Sequence, residues 1–315
     1  MDNFIFSINV TLPVFLVMVL GWFLRQKGMF DEPFINKLDR FNFNVTLPIL
    51  LFRDITAVNI REVFDLKYVL FCAISSTICF WLIWGFSKIA LKDKSMTGAF
   101  VQASTRSSAA VMGLAFIQNI YGNSAMGPLM IIGAVPLYNI FSVVVLTVEG
   151  DNFDKQGENK VISTCVNIIK NPIIIAIILG LIVSLCNIQF STIVNKTVNS
   201  VAQIASPLSL IGLGAAFEGK KALTKIKPAL LASVLKLIVQ PAIFIPVAIY
   251  FGFTGEKIIG IMIMLAAPAS PSCYIMAKNM KNDSVLTSSI IVLTTLLAAF
   301  TLTGWIFLLK QMGMI

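Results

Sequence analysis

The fold of this chain depends on one stretch, "MLAAPASPSCYIMAK", Met264 to Lys278. It has the composition of a membrane helix, yet it contains Pro268 and Pro271, with serines between and after them. A proline inside a helix removes a backbone donor and clashes with the carbonyl four residues earlier, which costs about 3 kcal/mol. In hydrocarbon an open backbone survives only where protein or a watery cavity satisfies it. The stretch therefore predicts an interrupted membrane helix beside a cavity.

The composition indicates a polytopic membrane protein. Of 315 residues, 57% are hydrophobic and 12% are charged, whereas soluble domains carry about 25% charged residues. The net charge of +9 comes from Lys and Arg in short gaps between apolar runs, which is a topology signal and not a nucleic-acid-binding surface. There is no histidine, and the five scattered cysteines form no C-x-x-C pair. A metal site, a disulfide framework and an enzyme are therefore disfavoured.

Ten apolar segments are long enough to cross a bilayer core, which needs about 20 residues of helix. Between them, six Lys and Arg lie on the side of the termini and sixteen on the opposite side. Positive residues prefer the cytoplasm, so we predict a multi-pass protein of the cytoplasmic membrane with both termini outside and the 149–165 loop inside. The predicted spans are 4–25, 34–53, 68–87, 97–118, 126–148, 166–186, 197–217, 228–251, 258–277 and 284–309.

The two halves of the chain share landmark residues at a constant spacing of 159. Each half holds five spans, an odd number, so the second half must be inverted across the membrane relative to the first. We predict an all-α membrane fold of ten helices in two inverted repeats, residues 1–155 and 156–315. Inverted repeats with broken helices near the midplane are typical of secondary transporters. The landmark pairs are Pro13 and Pro172, Gly21 and Gly180, Asn36-Lys37 and Asn195-Lys196, and Pro48 and Pro207.

The fourth span is weakened at the place that corresponds to the two prolines. The same spacing carries Ala266–Ser272 onto Ser107–Gly113, in a span that has several hydroxyls and an arginine but no proline. A lone proline would indicate a kink, whereas matched polar interruptions favour a site. Two interruptions facing each other would leave free N–H and C=O groups around a pocket. The N-termini of the second half-helices would direct positive dipole ends at its centre, which predicts an anion site.

Arg106 supplies a charge near the middle of the fourth span, where insertion of an arginine costs at least about 2.5–3.5 kcal/mol. The acidic residues fall in loops or near span ends, and the nearest candidates for a partner are Asp54 and Glu218. An unpaired guanidinium offers bidentate geometry to a substrate carboxylate. We predict substrate binding or gating by Arg106, with hydrogen bonds to backbone carbonyls as the structural alternative.

Two other polar residues lie inside predicted spans. Lys236 could snorkel to the interface, neutralise substrate, or occupy the place of a coupling cation. Asn139 could bridge the broken helices or make an ordinary interhelical hydrogen bond. Proton relays in membranes normally use Asp, Glu or His, so a carboxylate-based proton antiporter is disfavoured. No cofactor is expected, and a sodium ion held by hydroxyls and carbonyls and transport without a coupling ion both remain open.

Motifs along nearly the whole chain carry a family resemblance. They are, in order, "LPVFLVMVLGWFLRQKG", "FNVTLPILLF", "STRSSAAVMGL", "VPLYNIF", "NPIIIAIILGL", "SPLSLIGLGA", "LKLIVQP" and "AAPASPSCYIMA". This series resembles the auxin efflux carrier family, which includes bacterial malate and malonate permease-like proteins. Members commonly carry an asparagine just after the arginine-containing stretch of the fourth span, where this chain has Ser108 and Ala109.

The resemblance implies a fold like that of sodium/proton antiporters. Spans 1, 2, 6 and 7 would form a scaffold, and spans 3–5 and 8–10 would form a moving domain. Spans 4 and 9 would cross at the substrate site, and organic anions would move by an elevator-like step, often in a homodimer.

We therefore predict a secondary transporter of small organic anions, mono- or dicarboxylates, with an elevator-type alternating-access mechanism. A passive anion channel or a membrane-embedded ligand receptor is the alternative. The expected partners are a small carboxylate and the lipid bilayer, with no nucleic acid. Tyr274 is expected to be a gate or wall of the site. The predicted substrate-binding residues are Arg106, Ser107, Ser108, Gly113, Asn139, Pro268, Ser270, Pro271, Ser272 and Tyr274, with Lys236 in a coupling or charge-compensating role.

Overall fold

The computed structural model describes residues 2–56, 65–109, 126–150, 165–166 and 168–315. Within these ranges the chain is helical, and the only β-type pairing is an isolated bridge between Ser107 and Ala269. The α-helices are α1 Asp2–Gln26, α2 Glu32–Phe41, α3 Leu47–Thr56, α4 Leu66–Ala90, α5 Thr97–Thr105, α6 Met126–Val148, α7 Pro172–Leu185, α8 Thr192–Ala216, α9 Gly219–Thr224, α10 Ile226–Val234, α11 Gln240–Tyr250, α12 Gly255–Ala266, α13 Ser272–Asn279 and α14 Ser284–Gln311.

Within the described residues, five stretches are long and apolar enough to cross a membrane, and they coincide with predicted spans 3, 5, 7, 8 and 10. The second span carries charged residues at both ends, and the fourth and ninth are interrupted. The sixth span is shorter, since α7 covers Pro172–Leu185, whereas α1, Asp2–Gln26, has the length of the first predicted span. The five stretches are Leu66–Ala90, Leu129–Val148, Thr192–Ala216, Ile226–Tyr250 and Ser284–Gln311.

Two of the spans pass through a single π-helical turn, an element that is frequent at functional positions. The turn Asn42–Thr46 joins α2 to α3, and the turn Leu235–Val239 joins α10 to α11. In the first turn the Asn42 amide donates to Ala205 O at 3.2 Å and to Ser209 Oγ at 2.9 Å, which ties α2 to α8. The second turn carries Lys236, whose side chain is fully buried.

Helix bounds in the two halves agree to within one residue at the spacing of 159 residues that separates the landmark residues. The second span, 32–56, moved forward by this spacing becomes 191–215, against Thr192–Ala216 in the structure. Leu66–Ala90 becomes 225–249, against Ile226–Tyr250. The two halves therefore share helix lengths as well as single residues.

Helix contacts divide the molecule into two groups. α1 packs along α8, and α3 packs against α7 and α8. In the second group α4 packs on α6 and α5, α10 packs on α14, and α11 packs on α12. The groups touch where α14 lies against α1 and where α13 meets α2 and α8.

Two glycines allow the backbones of α1 and α8 to approach closely. A Cβ atom on Gly214 would lie 1.9 Å from Met18 O, and one on Gly21 would lie 2.2 Å from Ile211 O. Membrane helices associate through small residues of this kind because dispersion contacts replace the hydrophobic effect in lipid. The first group of helices is therefore held by a contact that tolerates no side chain.

We expect Gly214→Val to destabilise the protein, because α1 must move away from α8 to make room for the new side chain. Overpacking of this kind costs roughly 1–3 kcal/mol, which should appear as a lower melting temperature in detergent. Gly304→Val is the matched control, since a Cβ there meets no atom within 4 Å. Equal melting temperatures for the two variants would contradict the described approach of α1 and α8.

Candidate functional site

The ninth span is interrupted at the place that its prolines predict. α12 ends at Ala266, and Ala267 has φ −66° and ψ 150°, the extended conformation favoured before a proline. α13 begins at Ser272, directly after Pro271. The intervening residues make no helical hydrogen bonds with one another, so their backbone groups need other partners.

The fourth span is also interrupted, although it contains no proline. α5 ends at Thr105, and Arg106 is extended with φ −81° and ψ 119°. The extended segments of the two interruptions pair with each other. Ser108 N donates to Pro268 O at 2.9 Å, and Ser107 opposes Ala269 in the antiparallel bridge. The two interruptions therefore meet backbone to backbone.

Side chains satisfy the carbonyl groups at the end of α12 and the amide that follows it. Met264 O accepts a hydrogen bond from Tyr138 Oη at 3.1 Å and another from Ser107 Oγ. Ala269 N donates to Thr294 Oγ1 at 3.1 Å. Because unsatisfied polar groups are costly in an apolar interior, these contacts fix the position of the interruption.

The carbonyl end of α5 receives two long side chains from the eighth span. Lys236 Nζ donates to Thr105 O at 2.9 Å, and Gln240 Nε2 donates to Ser104 O at 2.6 Å. The C-terminal end of a helix carries a partial negative charge, so the ammonium group lies at a negative pole. Lys236 is fully buried and does not snorkel to the interface.

A cavity of about 70 Å³ lies beside the paired segments. Since a water molecule occupies about 30 Å³ of liquid, the cavity holds about two waters in this conformation. One wall consists of the interrupted segments, and the opposite wall belongs to α1, α3 and α8. The opposite wall includes Val14, Leu47, Leu50, Leu51, Ser206 and Leu210.

Arg106 provides the positive charge of this cavity. Its side chain is buried, and Nη1 donates to Met276 Sδ at 2.7 Å, a weak acceptor. Among the residues that the structure describes, no carboxylate oxygen lies within 4.0 Å of the guanidinium. Asp54 is on the cavity wall, but its Oδ1 accepts from Arg53 Nε and Nη2 at 3.0 and 2.6 Å. The guanidinium therefore keeps its capacity to bind a carboxylate.

The structure brings most of the predicted site residues to the crossing. Pro268 contributes its carbonyl to the pairing of the two segments. The hydroxyls of Ser270 and Ser272 are 2.8 Å apart. Gly113 lies outside the described residues. The predicted residues on the cavity wall are Arg106, Ser107, Ser108, Ser270, Pro271 and Ser272.

Asn139 and Tyr274 have other surroundings than the sequence predicts. Asn139 Nδ2 donates to Val135 O of its own helix at 2.8 Å, and within the described part of the chain it bridges no other helix. Tyr274, the predicted gate or wall of the site, is not among the described residues that line the cavity of Arg106. It lies two residues beyond Ser272, about 200° around α13, and its hydroxyl donates to Asp39 Oδ2 at 3.2 Å.

The sequence does not predict several contacts of the site. Tyr138 and Gln240 lie within the quoted motifs, and Gln240 is four residues after Lys236, a spacing that shares a helix face. Asp39 lies inside the predicted second span, although we predict that acidic residues lie in loops or near span ends and are not buried. Its side chain is 1% exposed, so that expectation is wrong for Asp39.

Comparison with known proteins finds similarity to membrane transport proteins along nearly the whole chain. The profile of the family described as "Membrane transport protein" matches residues 6–306. The "Uncharacterized transporter YfdV" of Escherichia coli K12 is 23% identical over 273 residues, which cover 85% of this chain and 86% of the relative. An "Uncharacterized transporter" of Methanothermobacter thermautotrophicus is 21% identical over 305 residues, 96% of this chain and 98% of the relative. The "Uncharacterized transporter MJ1031" of Methanocaldococcus jannaschii is 22% identical over 311 residues, with 95% and 98% covered.

Proposed function

Since the chain belongs to the membrane transport protein family, the family of auxin efflux carriers, we propose that this membrane transporter is a secondary carrier of small organic anions. The observation that carries the proposal is the buried guanidinium of Arg106, which faces a cavity without a described carboxylate partner. A buried charge without compensation costs several kcal/mol. An anionic substrate would supply the compensation.

The substrate class follows from the chemistry of the cavity wall. A guanidinium binds a carboxylate through two parallel hydrogen bonds, and the hydroxyls of Ser108 and of the Ser270–Ser272 pair provide further donors, whereas the Ser107 hydroxyl already donates to Met264 O. The opposite wall carries five apolar side chains, which suit the carbon skeleton of the substrate: Val14, Leu47, Leu50, Leu51 and Leu210. Mono- and dicarboxylates both satisfy the guanidinium, and this apolar wall favours monocarboxylates.

The proposed architecture is ten helices in two inverted repeats, residues 1–155 and 156–315. The agreement of helix bounds to within one residue at a spacing of 159 residues supports it. The group of α1, α2, α3, α7 and α8 would be the scaffold, and the second group would be the moving domain. The cavity lies between the groups, so a displacement of one against the other would carry a bound anion across the membrane. This is the elevator-type mechanism.

A coupling sodium ion is not needed in this proposal. The carbonyl groups at the end of α5 would attract a cation, but Lys236 and Gln240 already donate to them. The ammonium of Lys236 would stand in for the ion. Substrate gradient and membrane potential would then drive transport.

We expect Arg106→Ala to abolish saturable carboxylate uptake, because the variant loses the only proposed charge complement of the substrate. The measurement is uptake of radiolabelled lactate and succinate into liposomes that contain the purified protein. Wild-type uptake should saturate and should be unchanged when potassium replaces sodium. Lys92→Ala, which removes an exposed cation away from the cavity, is the control and should retain uptake.

Three outcomes of this experiment would contradict parts of the proposal. Wild-type uptake by Arg106→Ala would remove the guanidinium from the site. Flux that does not saturate would indicate a passive channel. Saturable binding without flux would indicate a receptor.

We expect both termini outside and the 149–165 loop in the cytoplasm, and native cysteines can report this orientation. Cys165 and Cys186 are exposed, whereas Cys72, Cys79 and Cys273 are buried. In right-side-out vesicles a membrane-impermeant maleimide should label Cys186, and it should label Cys165 only after permeabilisation. Cys186→Ser and Cys165→Ser identify the labelled site, and the reverse pattern would contradict the proposed orientation.

A further inference from the structure

One buried acidic residue has no part in the proposed substrate site. Asp39 of α2 is 1% exposed, and its Oδ2 accepts from Lys278 Nζ at 2.7 Å and from Tyr274 Oη at 3.2 Å. Asn279 Nδ2 also lies 3.4 Å from the Asp39 carbonyl oxygen. The other carboxylate oxygen, Oδ1, is buried, and among the described residues it has no hydrogen-bond partner.

The carboxylate and the groups that bind it belong to different parts of the molecule. Asp39 lies in the proposed scaffold, and its donors lie on α13 of the proposed moving domain. α13 begins at Ser272 on the cavity wall, and its Met276 contacts the Arg106 guanidinium. Any displacement of α13 that carries the substrate site along α2 must therefore separate Lys278 from Asp39.

Separation from Lys278 leaves the Asp39 carboxylate buried without a counter-charge. α8 presents Gly212 to Oδ1, 2.6 Å from where a Cβ would be, and offers no donor there. Removing one partner of a buried ion pair is strongly destabilising, because it leaves an uncompensated buried charge. Proton uptake by the carboxylate removes the charge and most of this cost.

A cavity reaches the donor side of this contact, but not Asp39 itself. It has a volume of about 470 Å³, is lined by Tyr274 and Lys278, and is separate from the cavity of Arg106. On α2 itself, Lys37 and Arg40 are exposed, and α8 presents no titratable group at Gly212. The remaining charged groups of this second cavity are Arg25, Glu32, Glu218 and Lys221.

We propose that Asp39 is a proton-binding site that controls the step in which the moving domain leaves the conformation described here. The carboxylate takes a proton from water in the second cavity when Lys278 departs, and it returns the proton when Lys278 comes back. Because Asp39 stays on the scaffold and reaches this cavity only when Lys278 departs, the proton is exchanged on that side and is not carried across. Acidity in that compartment, the cytoplasm in the proposed orientation, would accelerate transport. This inference rests on the proposed carrier function.

The test is exchange of radiolabelled lactate at equal pH inside and outside the liposomes, from about pH 8 to about pH 5. Equal pH removes any gradient of the neutral acid, and protein-free liposomes correct for its leakage. Wild-type exchange should rise several-fold as the pH falls. Asp39→Asn should exchange at the fast rate at every pH. Lys278→Gln should move the midpoint of the profile to higher pH, because the carboxylate then takes its proton without competition from an ammonium.

Controls keep the result interpretable. Asp31→Asn changes an exposed carboxylate that caps the same helix, and Asn caps equally well. It should follow the wild-type profile. If Asp39→Asn fails to fold, the double variant Asp39→Asn with Lys278→Gln removes both charges and should also be independent of pH. A pH profile that is unchanged in Asp39→Asn, or in the double variant, would overturn the inference.

A second readout separates this inference from the carrier function. Cysteines introduced at Asn36 of α2 and Ser288 of α14, which line the same cavity, can be cross-linked by a bifunctional reagent after Cys165 and Cys186 are replaced by serine. Cross-linking should decline on acidification and should be low at all pH values in Asp39→Asn. If cross-linking depends on pH in this way but lactate is not exchanged, the carrier function is contradicted and the proton site is not. If lactate is exchanged but cross-linking does not depend on pH, the proton site is contradicted and the carrier function is not.

Discussion

The structure depends on the obligation of backbone polar groups to find hydrogen-bond partners inside a membrane. Two helices, α5 and α12, end inside predicted spans, at Thr105 and at Ala266, where no bulk water can satisfy the open backbone groups. Part of the solution is mutual, since the two extended segments pair with each other. The rest comes from side chains of neighbouring spans. The crossing is consequently a rigid element whose geometry is set by several separate helices.

The positive charge at the crossing is distributed unequally between two cations. Lys236 lies against the carbonyl end of α5, so its charge is used within the protein. Within the described residues, the Arg106 guanidinium has a thioether as its hydrogen-bond acceptor, and it lines the cavity. The two residues therefore have different consequences. Lys236 stabilises the interrupted helix without an added ion, and Arg106 stays available for the proposed anion.

The sequence predicts the site where local chemistry is decisive. Pro268 and Pro271 end a helix, and the charge of Arg106 is costly within an apolar segment, which marks it as a functional candidate. The partners of these groups could not be predicted, because Tyr138, Thr294 and Gln240 come from separate spans whose relative rotation depends on packing. The second span shows the same limit. Nothing in its pattern indicates that Asp39 faces α13, since this depends on how α2 and α8 approach through Gly212.

The proposed binding of a carboxylate to Arg106 can be measured by thermal stability in detergent, without requiring transport. A ligand that binds the folded state stabilises it by RT ln(1 + [L]/Kd) and so raises the melting temperature. We expect lactate to raise the melting temperature with increasing concentration, lactamide to have no effect, and Arg106→Gln to show no rise with either compound. An equal rise for wild type and Arg106→Gln would contradict the proposed binding.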